Sequence, residues 1–224
     1  CIYDERVGLA RSYFKPESKL DFNNYITAIK TGRSYVSEGG SHIINFSVEG
    51  VEPGTRNSEI NLKGNGDIKV SARVIALLPA EQDQHGAMIA QRPGDRQPYW
   101  SIERARIGKS RNVPVELIVN GEVVASTEIP ADGSWKDINF SYPVKQSSWI
   151  AVRVYPSSHT NPVFVLVDSK PIAVKKSAEW CREAVDQCWK MKKDNIRSQE
   201  RSEASAAYDR ARKIYDAIIK TASN

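Results

Sequence analysis

Apolar residues recur along this chain with two different periods, and the changes of period divide it into three stretches. From Asp21 the residues Phe22, Tyr25, Ile26 and Ile29 fall three and four apart on one helical face, and Gly32 stands where a left-handed cap belongs. The spacing predicts a helix over Asp21–Thr31. Beyond Gly32 the period becomes two, in Ser34-Tyr35-Val36 and in His42-Ile43-Ile44-Asn45-Phe46-Ser47-Val48, with Gly39-Gly40 as the turn between them. Further strands are predicted at Glu59–Lys63, Ile68–Leu77, Tyr99–Ile107, Val113–Val119, Glu122–Ile129, Trp135–Tyr142, Trp149–Tyr155 and Val163–Val167. Short strands separated by turn signals, without helices between them, predict a mainly β fold: an antiparallel β-sandwich, Ig-like or jelly-roll-like.

Two local readings sharpen this expectation. Asn120-Gly121 tolerates positive φ at both positions, so it predicts a type I′ hairpin. On its first strand Val115, Leu117 and Val119 should face the core and Glu116 the other side; in the Trp149 strand Ile150, Val152 and Val154 should face inward and Arg153 outward. The polar, turn-rich segment Leu78–Pro98 reads as a long loop, mobile or covering another domain. After Pro171 the pattern is helical again: Trp180, Ala184, Val185, Cys188, Trp189 and Met191 outline one stripe with Ser177 as N-cap. A polar break over Asn195–Ser202 precedes a second stripe from Ala204 to Ile219, which predicts an antiparallel helical hairpin. The sandwich is then expected over 32–175 and the hairpin over 176–224.

Composition narrows the possible roles. At 224 residues the chain suits one main core with an appendage. Its net charge of +5 is spread rather than massed, apart from Arg104, Arg106, Lys109 and Arg111 and again Lys190, Lys192 and Lys193, so no nucleic-acid partner is expected. No apolar run approaches the roughly 18 residues that span a bilayer, so no membrane partner is expected either. Three cysteines without metal spacing give neither a disulfide framework nor a zinc knuckle, and leave the compartment open. Cys181 and Cys188, seven apart on one helical face, read as buried core thiols. The start at Cys1, without an initiator Met, reads as that of a fragment or a processed product.

Candidate chemistry is sparse. His42, His85 and His159 form no His-x-His or His-Glu-x-x-His pair, so no metal or other cofactor is assigned to this chain, and no catalytic residue. Gly-x-Ser-x-Gly is absent, and Gly64-Asn65-Gly66 lacks the Lys and Ser/Thr of a phosphate loop. Ser157-Ser158-His159-Thr160-Asn161-Pro162 packs donors and acceptors into one segment. It is either a turn held by its own side chains or a loop lining a cleft shared with another domain, in which case Ser158, His159, Thr160 and Asn161 are the cleft-lining candidates. Trp100, Trp135 and Trp149, all in predicted strands, would suit a sugar platform if coplanar and exposed, and core or rim packing otherwise.

Several segments, taken in order, resemble the C-terminal region of metallohydrolases in the carbaryl-hydrolase-like (CehA/McbA) branch of the PHP superfamily. They are Asp4-Glu5-Arg6-Val7-Gly8 with Arg11-Ser12-Tyr13, Gly32-Arg33-Ser34-Tyr35-Val36-Ser37, Val119-Asn120-Gly121, Ser148-Trp149-Ile150-Ala151-Val152-Arg153 and Ser157-Ser158-His159-Thr160-Asn161-Pro162-Val163. The resemblance implies that a distorted β/α barrel lies upstream of Cys1 and binds a divalent metal there, with no metal ligand in this chain. Residues 1–31 would be that catalytic domain's last connector and helix, and the sandwich a non-catalytic accessory domain with the barrel as its partner. Apolar surface would then be exposed around Ile2, Tyr3, Val7, Leu9, Tyr13 and Phe14. A carbohydrate-binding or adhesion module, and an independent hydrolase with an unfamiliar site, are the alternatives; the first needs aligned exposed rings and the second a pocket with convergent ionisable groups.

Overall fold

A computed structural model describes residues 8–17 and 19–222. Cys1, Ile2, Tyr3, Val7 and the segment Asp4-Glu5-Arg6 therefore lie outside the described residues. Two compact units divide the chain, Cys1–Ser169 and Lys170–Asn224.

The first unit is mainly β. Its strands are β1 (Arg11–Phe14), β2 (Ser34–Ser37), β3 (Ser41–Val48), β4 (Glu59–Leu62), β5 (Gly66–Ala76), β6 (Asn112–Val119), β7 (Glu122–Pro130), β8 (Lys136–Val144), β9 (Ser148–Val154), β10 (Ser158–Thr160) and β11 (Val163–Val167). Two helices accompany them, α1 (Phe22–Thr31) and α2 (Gln84–Gln91). The larger sheet runs β1-β2-β10-β9-β11-β4 and continues from β9 through β6 to β7; the smaller is β3-β5-β8. Among the described strands all pairs are antiparallel except β4 with β11, which is parallel.

Alternation along the strands makes the core. Val115, Leu117, Ile150, Val152, Val154, Val163 and Val165 of the large sheet are fully buried, and they meet Ile43, Val48, Ile68, Val70 and Val74 of the small one. Nearly all are β-branched, the side chains that pack best on a pleated surface. The residues between them, Glu116 and Arg153 among these, face away from the core as the period of two requires. Asn120 and Gly121 adopt φ of 52° and 93°, the predicted type I′ pair. Asn120 also uses its side chain, donating from Nδ2 to Ser148 Oγ at 3.0 Å and accepting from the Trp149 N–H at 3.0 Å.

Helix α1 stands where its stripe predicts it. Asp21 caps it by accepting from the Asn24 N–H, and Gly32 closes it at φ 80°.

Three expectations for this unit need correction. The predicted strand at Tyr99–Ile107 is instead a 3-10 turn over Ile102–Ala105, started by the Ser101 side chain. Ile102 and Ala105 are buried three apart, and Glu103 pairs with Arg106 at the same spacing, a helical period that simple alternation concealed. Leu78–Pro98 is not structureless: it holds α2, capped by Asp83, with Ile89 buried. Helices are therefore interleaved among the strands. Last, β1 and β10 were not predicted; Arg11–Phe14 has no clear apolar period, and Ser158–Thr160 is polar throughout.

The second unit is a pair of helices, α3 (Lys175–Lys192) and α4 (Arg201–Thr221), with a short 3-10 turn at Lys193–Asn195. Arg182 bonds Asp216, Arg212 bonds Asp186, and the Cys188 thiol meets Tyr208. Contacts run forward on one helix and backward on the other, so the pair is antiparallel, as predicted. Ser177 is not its N-cap, because α3 begins two residues earlier behind Val174. Nor are the thiols buried: Cys181 is half-buried and Cys188 exposed in the groove between the helices.

Candidate functional site

Strand alternation puts the four residues singled out in the sequence on opposite sides of the large sheet. Ser158 and Thr160 are buried between the sheets, where Ser158 Oγ lies 2.6 Å from Ser41 Oγ and Thr160 Oγ1 accepts from the Val152 N–H at 3.1 Å. They hold β10 in place. Asn161 donates from Nδ2 to Gly32 O at 2.9 Å and to Ser34 Oγ at 3.0 Å, tying the cap of α1 to the end of β10. His159, between two buried neighbours, presents its side chain to solvent. Its Nδ1 lies 3.2 Å from Thr160 O. A carbonyl can only accept, so Nδ1 carries the proton and a neutral ring leaves its lone pair on Nε2.

Register places His159 in a row. Ser12, Val36, His159, Arg153, Glu116 and Ser126 are successive cross-strand partners on β1, β2, β10, β9, β6 and β7. At about 4.8 Å per strand the row is about 24 Å long on the outer face of the sheet. Arg153 is fixed in it, with Nε 2.5 Å from Glu116 Oε2 and its guanidinium 4.9 Å from the centre of the Tyr155 ring. On the same face Trp149 pairs across strands with Phe164, which is 38% exposed.

Helix α1 borders this face. Phe14 points opposite to Tyr13 along β1, and its ring meets Tyr25 of α1 edge-on at 5.1 Å. Ala28 is the buried residue of α1. The apolar stripe itself stays in solvent: Phe22 is 74% exposed, Ile26 45%, Tyr25 and Ile29 39%, and Leu20 just before them 73%. Of the expected apolar patch, Leu9, Tyr13 and Phe14 are half-buried, while Ile2, Tyr3 and Val7 lie outside the described residues.

Between the sheets, at the β1–β2 end, lies a cleft of about 380 Å³. Tyr13 and Tyr35 stack at 5.1 Å and 13° on one side, and Ile43, Asn45 and Phe46 of β3 form the other. Beside it Tyr35 OH lies 2.9 Å from His42 Nδ1, whose ring also meets Tyr13 edge-on. Burial, and secondarily the Tyr13 hydroxyl, pushes the Tyr35 phenol up to about 12. Burial lowers His42, against the pull of Glu38. Burial thus favours the neutral imidazole, which shares one hydrogen bond with the Tyr35 hydroxyl.

A prediction follows from the sign of the Tyr35 shift. Its folded value lies above the ordinary 10.0, so its contribution to stability is complete below pH 10 and fades as pH rises towards 12. Tyrosinate absorbance should show a late-ionising component that Tyr35→Phe reduces, the rest belonging to Tyr208, which its bond to Cys188 also raises; a late component unchanged in Tyr35→Phe would refute it.

The histidines lie apart: His42 is in β3, His85 in α2 and His159 on the outer face. Among the described residues no group of three or more His, Cys, Asp or Glu is placed to hold a metal ion, so this part of the chain offers no donor set for the divalent metal that the resemblance implies. The tryptophans do not share a face either: Trp149 belongs to the large sheet, Trp135 precedes β8 of the small one under Arg73, and Trp100 sits against Tyr99. No described helix is long and apolar enough to cross a membrane. No protein-family model matches the chain, and no curated protein matches it.

Proposed function

We propose that this chain is a non-catalytic accessory β-sandwich of a metal-dependent hydrolase, docked through α1 and the outer face of its large sheet onto an upstream barrel that holds the metal. The observation that carries the reading is the exposed stripe of α1. An amphipathic helix forms to bury its apolar face, yet Phe22 stays 74% exposed and Ile26 45%, and Tyr25 and Ile29 are covered only in part. A domain packed there would give the stripe its burial and bring the row of Val36, His159, Arg153 and Glu116 to the interface. His159, with Nδ1 occupied and Nε2 open, would be the residue of the segment lent to the substrate cleft.

The test compares the 224-residue chain with the polypeptide that includes the proposed barrel, by hydrogen exchange, metal content and hydrolysis of chromogenic esters and phosphoesters. Amides of α1 should exchange at least tenfold more slowly in the longer protein, and metal and turnover should belong to it alone. Turnover with Mn²⁺ by the 224-residue chain, or equal exchange at α1 in both, would overturn the proposal.

A further inference from the structure

The helical unit uses only part of its apolar surface. Trp189 of α3 packs on Tyr208 of α4, with ring centres 4.9 Å apart, along the seam where the helices meet. One side of that seam is closed by charge: Arg182 pairs with Asp186 and Asp216, and Arg212 with Asp186 and Asp209. The other side is an open groove, with Cys181, Ala184 and Cys188 on one wall and Ala207 and Ala211 on the other. Helical spacing continues these walls to Trp180 and Met191 on α3 and to Ile214 on α4, which are 70%, 65% and 59% exposed. Among the described residues of the two helices Ala178 alone is buried. The pair as it stands therefore encloses no core of its own, and helices of this length owe their stability in water to the burial of an apolar face.

Three observations say what covers this face. First, its residues recur three and four apart, Cys181, Ala184 and Cys188 on α3 and Ala207, Ala211 and Ile214 on α4, the repeat by which helices interlock with further helices. Second, the face carries no charge along α3, although eight of the 18 residues of that helix are charged, so its partner is apolar there. Third, the face matches itself. Asp186 stands level with Arg212 and Arg182 with Asp216, which fixes the stagger of the helices. A two-fold axis crossing α4 between Arg212 and Lys213 sets Ala211 against Ile214 of a second copy and Ala207 against Ile218, small against large in each layer. At that level the axis crosses α3 beside Val185, which sets Cys181 against Cys188 of the second copy.

The area is sufficient. With 18 residues α3 is about 27 Å long, and two helices side by side are about 20 Å wide. Each copy offers about 500 Å², and the pair buries about 1,000 Å², the size a specific interface needs. We infer that this face pairs with the same face of a second copy of the chain, so that two hairpins form an antiparallel four-helix bundle about a two-fold axis.

The experiment uses the 224-residue chain with Cys1→Ser, which leaves Cys181 and Cys188 as its thiols. Sedimentation equilibrium should show a dimer with a Kd of about 1 µM or tighter. A short bis-maleimide should join two chains. Cys181→Ser and Cys188→Ser should each abolish that cross-link and leave the dimer, because the axis puts each thiol opposite the other one. Ile214→Glu, which every dimer carries twice, should weaken self-association at least about a hundredfold. Phe22→Lys together with Ile26→Lys should leave it unchanged. The mass and cross-link of the unaltered hairpin stand even if Ile214→Glu melts it. A chain that stays monomeric, including one that binds phosphatidylglycerol vesicles instead, would overturn the inference. So would a dimer that the α1 changes disperse, or cross-links that persist with one thiol. The inference does not rest on the accessory-domain reading, whose metal, turnover and α1 exchange are read in the longer protein.

Discussion

Replacing Arg106 by methionine should cost the first unit about 3–5 kcal/mol, the loss typical of stripping one partner from a buried ion pair. The Arg106 side chain is 1% exposed and that of Glu103 12%. Its guanidinium makes two bonds to the Glu103 carboxylate, at 2.8 and 2.9 Å, and donates to the carbonyls of Ser110 and Pro79, both at 3.0 Å. Gln82 adds a bond to the same carboxylate at 3.0 Å. Losing Arg106 leaves Glu103 buried with Gln82 alone and frees both ends of the excursion between β5 and β6. Amides of α2 should then exchange as if that region were unfolded. Lysine at 106 keeps the charge but not the fork, and should recover part of the loss. Pairing Glu103→Leu with Arg106→Met should recover most of it, because no charge is then stranded. A loss below about 1 kcal/mol for the single variant would show that the pair does not anchor the excursion.

Acid should have the same effect as the mutation. Hydrogen bonding from Arg106 holds the Glu103 carboxyl below its ordinary range. A depressed carboxylate stabilises the fold above the unfolded value, and that contribution is lost as pH falls through the folded one. Protection of α2 should therefore fall on acidification, and Arg106→Met should abolish that loss and reverse its sign, because burial then raises the stranded carboxyl. Arg104 gives the rest of the excursion its shape, donating to the carbonyls of Arg92, Pro93, Arg96 and Pro98. A segment that reads as a loose loop is thus held by two arginines that the sequence places more than ten residues away from most of its length.

That contrast shows which kinds of structure are legible in a sequence. Strands with long apolar alternation, such as β5, β6 and β9, were apparent because each buries every second residue against a large core, and burial dominates the choice of register. The Asn120-Gly121 hairpin was legible because positive φ selects its residues directly. Strand β10 was not, since Ser158 and Thr160 are buried by hydroxyl hydrogen bonds to Ser41 and to the Val152 amide, partners that no local pattern announces. The same limit hid the cleft. Tyr13, Tyr35 and His42 come together only through pairing of β1 with β2 and the stacking of two sheets. His159 was visible as a polar residue in an unusual segment, but its outward aim required the strand that the sequence concealed.

The α1 stripe behaves differently: its periodicity was plain, and its burial is what the first unit lacks. Phe22→Lys together with Ile26→Lys should accordingly leave the 224-residue chain within about 0.5 kcal/mol of its original stability, as surface changes do. Lysine is also the better helix former at position 26, inside α1. In the longer protein the outcome reverses if the stripe docks on a barrel. Each large apolar side chain contributes about 1.5–3 kcal/mol on burial, and each lysine must keep its charge hydrated. Together they should weaken docking by at least about a hundredfold. Tyr25 is left in place because its ring already meets Phe14, so the helix keeps its seat on β1. Rapid exchange at α1 and a fall of tenfold or more in turnover, with the metal still bound, would mark the stripe as the interface. Unchanged turnover and protection in the longer protein would mean the stripe faces water there too. Destabilisation of the 224-residue chain itself would mean the stripe already has a partner within it.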